Sequence, residues 1–477
     1  MNYKMIRQTL GWILIFEAVF FCIPLITAIV YKESAVWSFL ICIAICLVLG
    51  RLLTFKKPKD TTLYSREGFV IVALSWIVMS IFGCLPFLMS GVTTSFIDAL
   101  FETVSGFTTT GASIFPAVED LPYSINMWRC FTHWIGGMGV LVFLMVFLPL
   151  SGGQNMHLMK AESPGPSVSK LVPRVRTTAL ILYAIYFALT VTELVVLLIL
   201  KMPLYDAICA SFGTAGTGGF GVKNDSMASY SPAIQIAVTV FMLLFSINFT
   251  SYFLILSLKI KDAFNCEVRT FLFIVFASVG LITLNVYSSF DSLGEALRHA
   301  AFSLASIIST TGYATVDFDL WPSLAKGILV LSMFIGACAG STGGGVKVSR
   351  VVILIKGVIN ELRTFIHPRQ VKKVSMDSRS VEDATVRAVM VYIACFVVIF
   401  IGSVLLISWE GHSLTTNFTA VAATLNNIGP GLEAVGPTQN FAFWSIPSKL
   451  VLIFDMLAGR LELFPMLVLF YVRTWKK

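Results

Sequence analysis

Apolar stretches of about 20 residues or more begin near Leu10, Ala35, Gly68, Met127, Thr178, Pro232, Thr270, Trp321, Ala388 and Pro447. Each is long enough to cross roughly 30 Å of hydrocarbon as a helix, so the pattern predicts ten crossings. After the first two stretches the chain repeats one order four times: apolar helix, short amphipathic helix, glycine-centred loop, apolar helix. The short helices are too brief to span. The expected fold is an all-α membrane protein with two N-terminal helices and four helix–pore loop–helix repeats around a central pore. Its expected divisions are residues 1–66, 67–158, 159–262, 263–366, with a broken second helix, and 367–477.

The repeats show in the short segments. The first reads FIDALFETVSGFTTTGAS from Phe96 to Ser113 and the second LYDAICASFGTAGTGGFG from Leu204 to Gly221. The third reads SLGEALRHAAFSLASIISTTGYAT from Ser292 to Thr315 and the fourth LTTNFTAVAATLNNIGPGL from Leu414 to Leu432. Aligned on their turns, Gly111, Gly218, Gly312 and Gly429 correspond, preceded by Thr110, Thr217, Thr311 and Ile428. Each unit crosses the membrane twice, whereas an inverted repeat needs an odd number of crossings. Rotation about the membrane normal is left, and with it a single pore.

Non-helical backbone is tolerated at membrane depth only where it is buried in protein or lines a watery cavity. Four such loops around one axis meet that condition together. Glycine lets backbones approach closely, so these turns can aim carbonyls at the axis, and carbonyl rings replace the hydration shell of a cation. Half-helices ending at the loops add partial negative charge there. No Lys or Arg lies between Glu67 and Trp128, whereas Asp98, Glu102, Glu119 and Asp120 do, which reads as an acidic outer mouth.

Composition agrees with a lipid solvent: 57% of the 477 residues are hydrophobic and 13% charged, against about 25% charged in soluble domains. Twenty-six of the 34 Lys and Arg fall at the termini and in residues 51–66, 160–176, 259–269 and 347–387. This positive-inside bias predicts both termini in the cytoplasm. Lys4 and Arg7 precede the first apolar stretch, but no small-x-small site ends it and Lys32 follows, so it reads as a retained helix. The net charge of +8 sits beside membrane segments, which argues for anionic lipid rather than nucleic acid. Most of the nine Cys lie in or beside apolar helices without CxxC spacing, and the five His form no HExxH, so neither disulfides nor a metal site is indicated.

Two further places stand out. The helix from Trp321 runs to about Arg363, some 65 Å if continuous, about twice the hydrocarbon thickness. Its glycines from Gly340 to Gly345 predict a break. GSTGGGVK there is not a phosphate loop, because Val346 separates glycine from Lys347 and no Ser or Thr follows. Ala339-Gly340-Ser341-Thr342-Gly343 lacks the strand and His base of a nucleophile elbow. Arg460 lies in the last apolar helix with Asp455 and Glu462; at about 100° per residue the two acids share a stripe and Arg460 points away from them. His133, Trp134, Gly136, Gly137 and Gly139 read as a close-packing face.

The strings TVSGFTTTGAS, GTAGTGGFG, ISTTGYAT and TLNNIGPGL, with ACAGSTGGGVKVSR and GRLELFP, resemble the TrkH/KtrB superfamily of potassium transporters over nearly the whole chain. The two extra N-terminal helices point to its TrkH branch. The resemblance implies a potassium filter formed by Thr109, Thr110, Gly111, Thr217, Gly218, Thr311, Gly312, Asn427, Ile428 and Gly429. It implies a gate formed by Gly340, Ser341, Thr342, Gly343, Gly344 and Gly345, with Arg460 contacting that loop. It also implies a multi-pass protein of the bacterial inner membrane, a homodimer with one pore per protomer, a cytosolic nucleotide-binding ring subunit of the TrkA kind as partner, and no nucleotide bound by this chain. Lys347, Arg350, Arg369, Lys372 and Lys373 are the expected docking face for that partner. Ala215-Gly216 departs from the bulkier residues usual in the second loop. A sodium- or proton-coupled symporter is the rival within transport, and an intramembrane hydrolase, which would need a His-Ser or Asp-Asp pair, is the rival outside it.

Overall fold

The computed structural model describes residues 1–56, 58, 63–139, 175–367, 373–377 and 379–475. The expected boundary at 158/159, most of the basic loop at 160–176, and Arg369 and Lys372 lie outside them. Three helices open the chain: α1 (Tyr3–Phe20), α2 (Cys22–Val30) and α3 (Val36–Thr54). Helices α1 and α3 cross where glycines meet, so closely that a Cβ on Gly11 would stand 2.9 Å from the Gly50 carbonyl oxygen. Small residues at a crossing let helix backbones pack without a hydrophobic drive, as lipid requires.

Four helical segments follow. The first holds α4 (Ser65–Gly83), α5 (Phe96–Phe107) and α6 (Tyr123–Gly137). The second holds α7 (Val175–Ile199), α8 (Leu204–Gly216), α9 (Pro232–Ser246) and α10 (Phe249–Leu256). The third holds α11 (Cys266–Val286), α12 (Leu293–Ile308), α13 (Ser323–Ile335) and α14 (Val348–Ile366). The fourth holds α15 (Asp383–Ile407), α16 (Leu414–Leu425), α17 (Ile446–Arg460) and α18 (Phe464–Phe470). A two-stranded hairpin, β1 (Ser375–Met376) with β2 (Arg379–Ser380), lies between α14 and α15.

Short helices start on local signals. Ser95, Ser292 and Ser413 cap α5, α12 and α16 by accepting the amides of Asp98, Glu295 and Thr416, which satisfies first-turn donors that have no helical partner. Contacts join α6 to α8, α9 to α12, α13 to α16, and α17 to α5, so each segment touches the next and the last touches the first. Lys449 of α17 bonds Asp98 of α5 at 2.6 Å across that final contact.

The outer face is apolar: Phe273 and Leu284 of α11 are 73% and 76% exposed, and Val398 of α15 is 71% exposed. The interior holds polar groups instead, among them Glu102, Arg129, His133 and the threonines of the loops. That inside-out arrangement is the one a bilayer selects. By length and composition six described helical stretches can span, or seven if a bent pair counts as one. That count covers the described residues only: of the ten expected crossings, the second of the first segment lies partly outside them at 140–158, and the second helices of the other three segments are interrupted. Helices α9 and α10 bend by 92°, and α17 ends at Arg460, where Glu462 and Leu463 take φ of 54° and 66° before α18. The sequence predicted a break only in the third segment, and there it is wider than Gly340–Gly345: α13 stops at Ile335 and α14 starts at Val348.

Candidate functional site

The four short helices end in one shared turn. Amides of Thr110, Gly218, Thr311 and Ile428 bond carbonyls five residues back, on Ser105, Gly213, Ser306 and Ala423, each at 2.8 Å. Amides one residue earlier, on Thr109, Thr217, Thr310 and Asn427, bond carbonyls three residues back. This is a Schellman ending, whose left-handed residue is normally glycine. Here Thr109, Thr217, Thr310 and Asn427 hold φ of 55°, 55°, 61° and 55°. Such strain, of order 1–3 kcal/mol per residue, persists where the surroundings over-determine it and gathers at functional sites.

Two residues further on, glycine is obligatory. Gly111, Gly219, Gly312 and Gly429 have φ of 80°, 80°, 86° and 100°. A Cβ on Gly111 would lie 2.0 Å from the Gly218 oxygen, on Gly219 2.0 Å from the Thr311 oxygen, on Gly312 2.2 Å from the Ile428 oxygen, and on Gly429 2.8 Å from the Thr110 oxygen. The contacts close a ring from first loop to second, third, fourth and back. They also correct the register of the second loop: Gly219, not Gly218, matches Gly111, Gly312 and Gly429. Gly218 holds its place in the ring through its carbonyl, at the position of Thr110, Thr311 and Ile428.

Distant side chains brace the ring. His133 of α6 sits between loops one and two: its Nε2 accepts the Phe220 amide at 3.2 Å, so its Nδ1 carries the proton and donates to the Gly106 carbonyl at 2.7 Å. Its ring lies so near Gly218 that a Cβ there would be 2.2 Å from Nδ1. The Asn427 amide donates to the Thr110 hydroxyl at 3.0 Å and to the Met456 carbonyl at 2.9 Å, tying loop four to loop one. The close-packing reading of α6 is thus incomplete. An ionisable side chain inside an apolar helix, rare and costly in lipid, was the available signal.

A cavity of about 130 Å³ opens on one side of the ring, bounded by Gly111, Gly219, Gly312, Gly429 and Arg129. Arg129 changes the expected acidic mouth. Its Nε meets Glu102 Oε1 at 2.7 Å, both side chains buried, and Asp98 is taken by Lys449. Two of the four acids are therefore ion-paired.

On the opposite side lies the glycine segment between α13 and α14. The Gly344 amide donates to the Thr310 hydroxyl at 2.6 Å and the Gly345 amide to the Asn426 carbonyl at 3.1 Å, so the segment is pinned to the ends of α12 and α16. Arg460 donates to the Thr342 carbonyl at 2.9 Å and to the Gly136 and Gly137 carbonyls at 2.5 and 2.8 Å. It therefore joins the segment to the end of α6, while Asp455 and Glu462 are engaged by other side chains. The shared stripe of those two acids does not form, because α17 ends between them; Asp455 accepts from Ser403 at 2.7 Å and Glu462 pairs with Arg350. Lys347 turns inward to the Gly343 carbonyl. Lys347 and Arg350 are both buried, so neither belongs to a docking face, whereas Lys373 is exposed. A second cavity, of about 70 Å³, is bounded by Gly340, Gly345, Lys347 and Arg460.

Residues 36–476 match the family described as "TrkH: Cation transport protein". The chain belongs to the TrkH family. It is 36% identical to the Trk system potassium uptake protein TrkH of Escherichia coli K12 and 34% identical to that of Halomonas elongata, each alignment covering all of both chains. The crystal structure of the potassium transporter TrkH from Vibrio parahaemolyticus superposes with a TM-score of 0.90 at 33% identity, again covering both chains fully. This TrkH-family chain is accordingly a multi-pass, helical transport protein and not an enzyme.

Proposed function

We propose that the chain takes up potassium through a channel-like pore whose filter is the ring of Thr109, Thr110, Gly111, Thr217, Gly218, Thr311, Gly312, Asn427, Ile428 and Gly429, joined by Gly219. One observation carries this: four glycines in register leave no room for a Cβ because each faces the next loop's carbonyl. Carbonyls brought that close around an axis supply the oxygen cage that replaces potassium's water. The segment Gly340, Ser341, Thr342, Gly343, Gly344 and Gly345 obstructs the path beneath the ring, with Arg460 as its latch. An inside-negative potential drives entry, worth about 2.3 kcal/mol per charge per 100 mV, roughly fiftyfold in concentration.

The same reading places the protein in the bacterial inner membrane with both termini cytoplasmic, among lipid, as a homodimer on a TrkA-like cytosolic ring. The basic loops support that orientation. Rubidium uptake into liposomes holding the purified protein, with and without an imposed potential, tests the core of it. Potential-driven rubidium entry that excludes sodium is expected; equal entry of both ions would sink the filter.

One observation favours coupled transport as a second reading. Glu17 and Asp455 are buried at membrane depth, and both Glu17 oxygens and Asp455 Oδ2 have no partner among the described residues. Uncompensated intramembrane carboxyls are sites where protons are held. Alkalinisation outside the liposomes in step with rubidium entry would support coupling, and its absence would leave the passive pore.

A further inference from the structure

The segment between α13 and α14 leaves and re-enters through a narrow neck. The Val346 amide bonds the Phe334 carbonyl at 3.3 Å and the Val348 amide the Ala337 carbonyl at 3.1 Å. Gly336 and Gly345 touch there, since a Cβ on Gly345 would stand 2.8 Å from the Gly336 Cα. One side chain from outside spans this neck. Glu267, in the first turn of α11, is 6% exposed, and its Oε1 accepts the Ala339 amide at 2.7 Å and the Ser349 amide at 3.1 Å. The first donor lies where the chain has left α13. The second belongs to the first turn of α14, where amides have no helical acceptor. A carboxylate makes such bonds about twice as strong as a neutral acceptor does.

The residues beside Glu267 are anchored in turn. Asp377, in the hairpin after α14, accepts the Cys266 amide at 2.7 Å and pairs with Arg269 at 3.2 Å. From the other side Lys356 of α14 reaches the Ser375 carbonyl of that hairpin at 2.8 Å. The hairpin therefore bridges α11, which carries the carboxylate, and α14, which carries one of the amides it holds.

We propose that Glu267 is a positioning residue for transport: it clasps the two ends of the intramembrane loop, and the hairpin at Asp377 is the handle through which the clasp is loosened. The proposal rests on the loop being the gate. With the clasp made, the neck stays narrow and Gly344 stays on Thr310. With it lost, two buried amides lack an acceptor and the neck can widen, freeing the middle of the loop from the ring.

Cys338 reports the state of the neck, because it lies inside the segment and is 0% exposed. The test is N-ethylmaleimide labelling of Cys338 in the full-length protein in liposomes, mapped by mass spectrometry, with rubidium flux measured on the same samples. Glu267→Ala is expected to speed labelling about fivefold or more and to raise flux. Glu267→Gln keeps an oxygen in place and is expected to return both to near wild type. Glu267→Asp keeps the charge but is one methylene shorter; it is expected to speed labelling and serves if the alanine variant does not fold. Wild-type labelling in folded Glu267→Ala or Glu267→Asp overturns the clasp. Deletion of Gly343 to Gly345 separates the two ideas. If the deletion raises flux while the Glu267 variants change nothing, the clasp fails and the gate stands. If the Glu267 variants expose Cys338 while neither they nor the deletion change flux, the clasp stands and the gate fails.

Discussion

The Gly344 amide donates to the Thr310 hydroxyl at 2.6 Å, a hydrogen bond that ties the glycine segment between α13 and α14 directly to the ring of loops. Thr310 is also one of the four left-handed residues of the ring, with φ of 61°. Segment and ring therefore meet at Thr310, so a change in either bears on the other.

Thr310→Ala removes the acceptor and leaves a buried amide without a partner, at roughly 1–3 kcal/mol. Rubidium flux in the absence of any partner protein is expected to rise by about fivefold or more, while Thr310→Ser, which keeps the hydroxyl, stays within about twofold. Stopped-flow flux into liposomes checks both. Equal flux in all three proteins would show that the bond does not restrain the loop.

Gly219 and Gly221 sit two residues apart and predict opposite outcomes. A Cβ on Gly219 would fall 2.0 Å from the Thr311 oxygen, whereas one on Gly221 would meet nothing nearer than 3.8 Å. Gly219→Ala, like Gly312→Ser, is expected to lower the rubidium-to-sodium permeability ratio by about tenfold, equivalent to about 1.4 kcal/mol between the ions. Gly221→Ala is expected to leave it unchanged. A ratio that survives Gly219→Ala would refute the ring as the filter.

Arg460 donates to the Thr342 carbonyl in the loop and to the Gly136 and Gly137 carbonyls at the end of α6. Charge-assisted bonds of this kind contribute about 1.5–3 kcal/mol, so Arg460→Ala is expected to raise partner-independent flux about tenfold or more, in the same direction as deletion of Gly343 to Gly345. Arg460→Lys has no planar fork and is expected to fall between. Flux at wild-type level in both the Arg460→Ala and the deletion proteins would put the gate elsewhere.

Glu102 and Arg129 lend themselves to a stability measurement. Buried Glu102 takes buried Arg129, the Ile114 amide and the half-buried Ser113 hydroxyl. Glu102→Ala leaves the buried guanidinium without its carboxylate and is expected to cost about 3–5 kcal/mol, with a fall in melting temperature in detergent. Adding Arg129→Met is expected to recover part of that loss; an unchanged melting temperature in Glu102→Ala would show the pair to be idle.

Much of the fold follows from local pattern. Apolar length marks the spanning helices, and a 65 Å helix interrupted by Gly340 and the run Gly343 to Gly345 cannot pass through a membrane unbroken. The angular argument that turned Arg460 away from Asp455 also held, because both residues lie within the helix that ends at Arg460. It failed for Glu462, which lies beyond that end. Gly216, Gly218 and Gly219 crowd one loop, and no periodicity tells which of them faces a carbonyl; only the neighbouring loop decides that it is Gly219. The same limit applies to charge. Lys347 and Arg350 read as a basic surface because sequence records charge and not direction, yet one reaches Gly343 and the other Glu462 across more than a hundred residues of chain. What the chain alone determines is which segments can cross and which must bend; which carbonyl, carboxylate or amide each side chain meets is set when four distant segments close on one another.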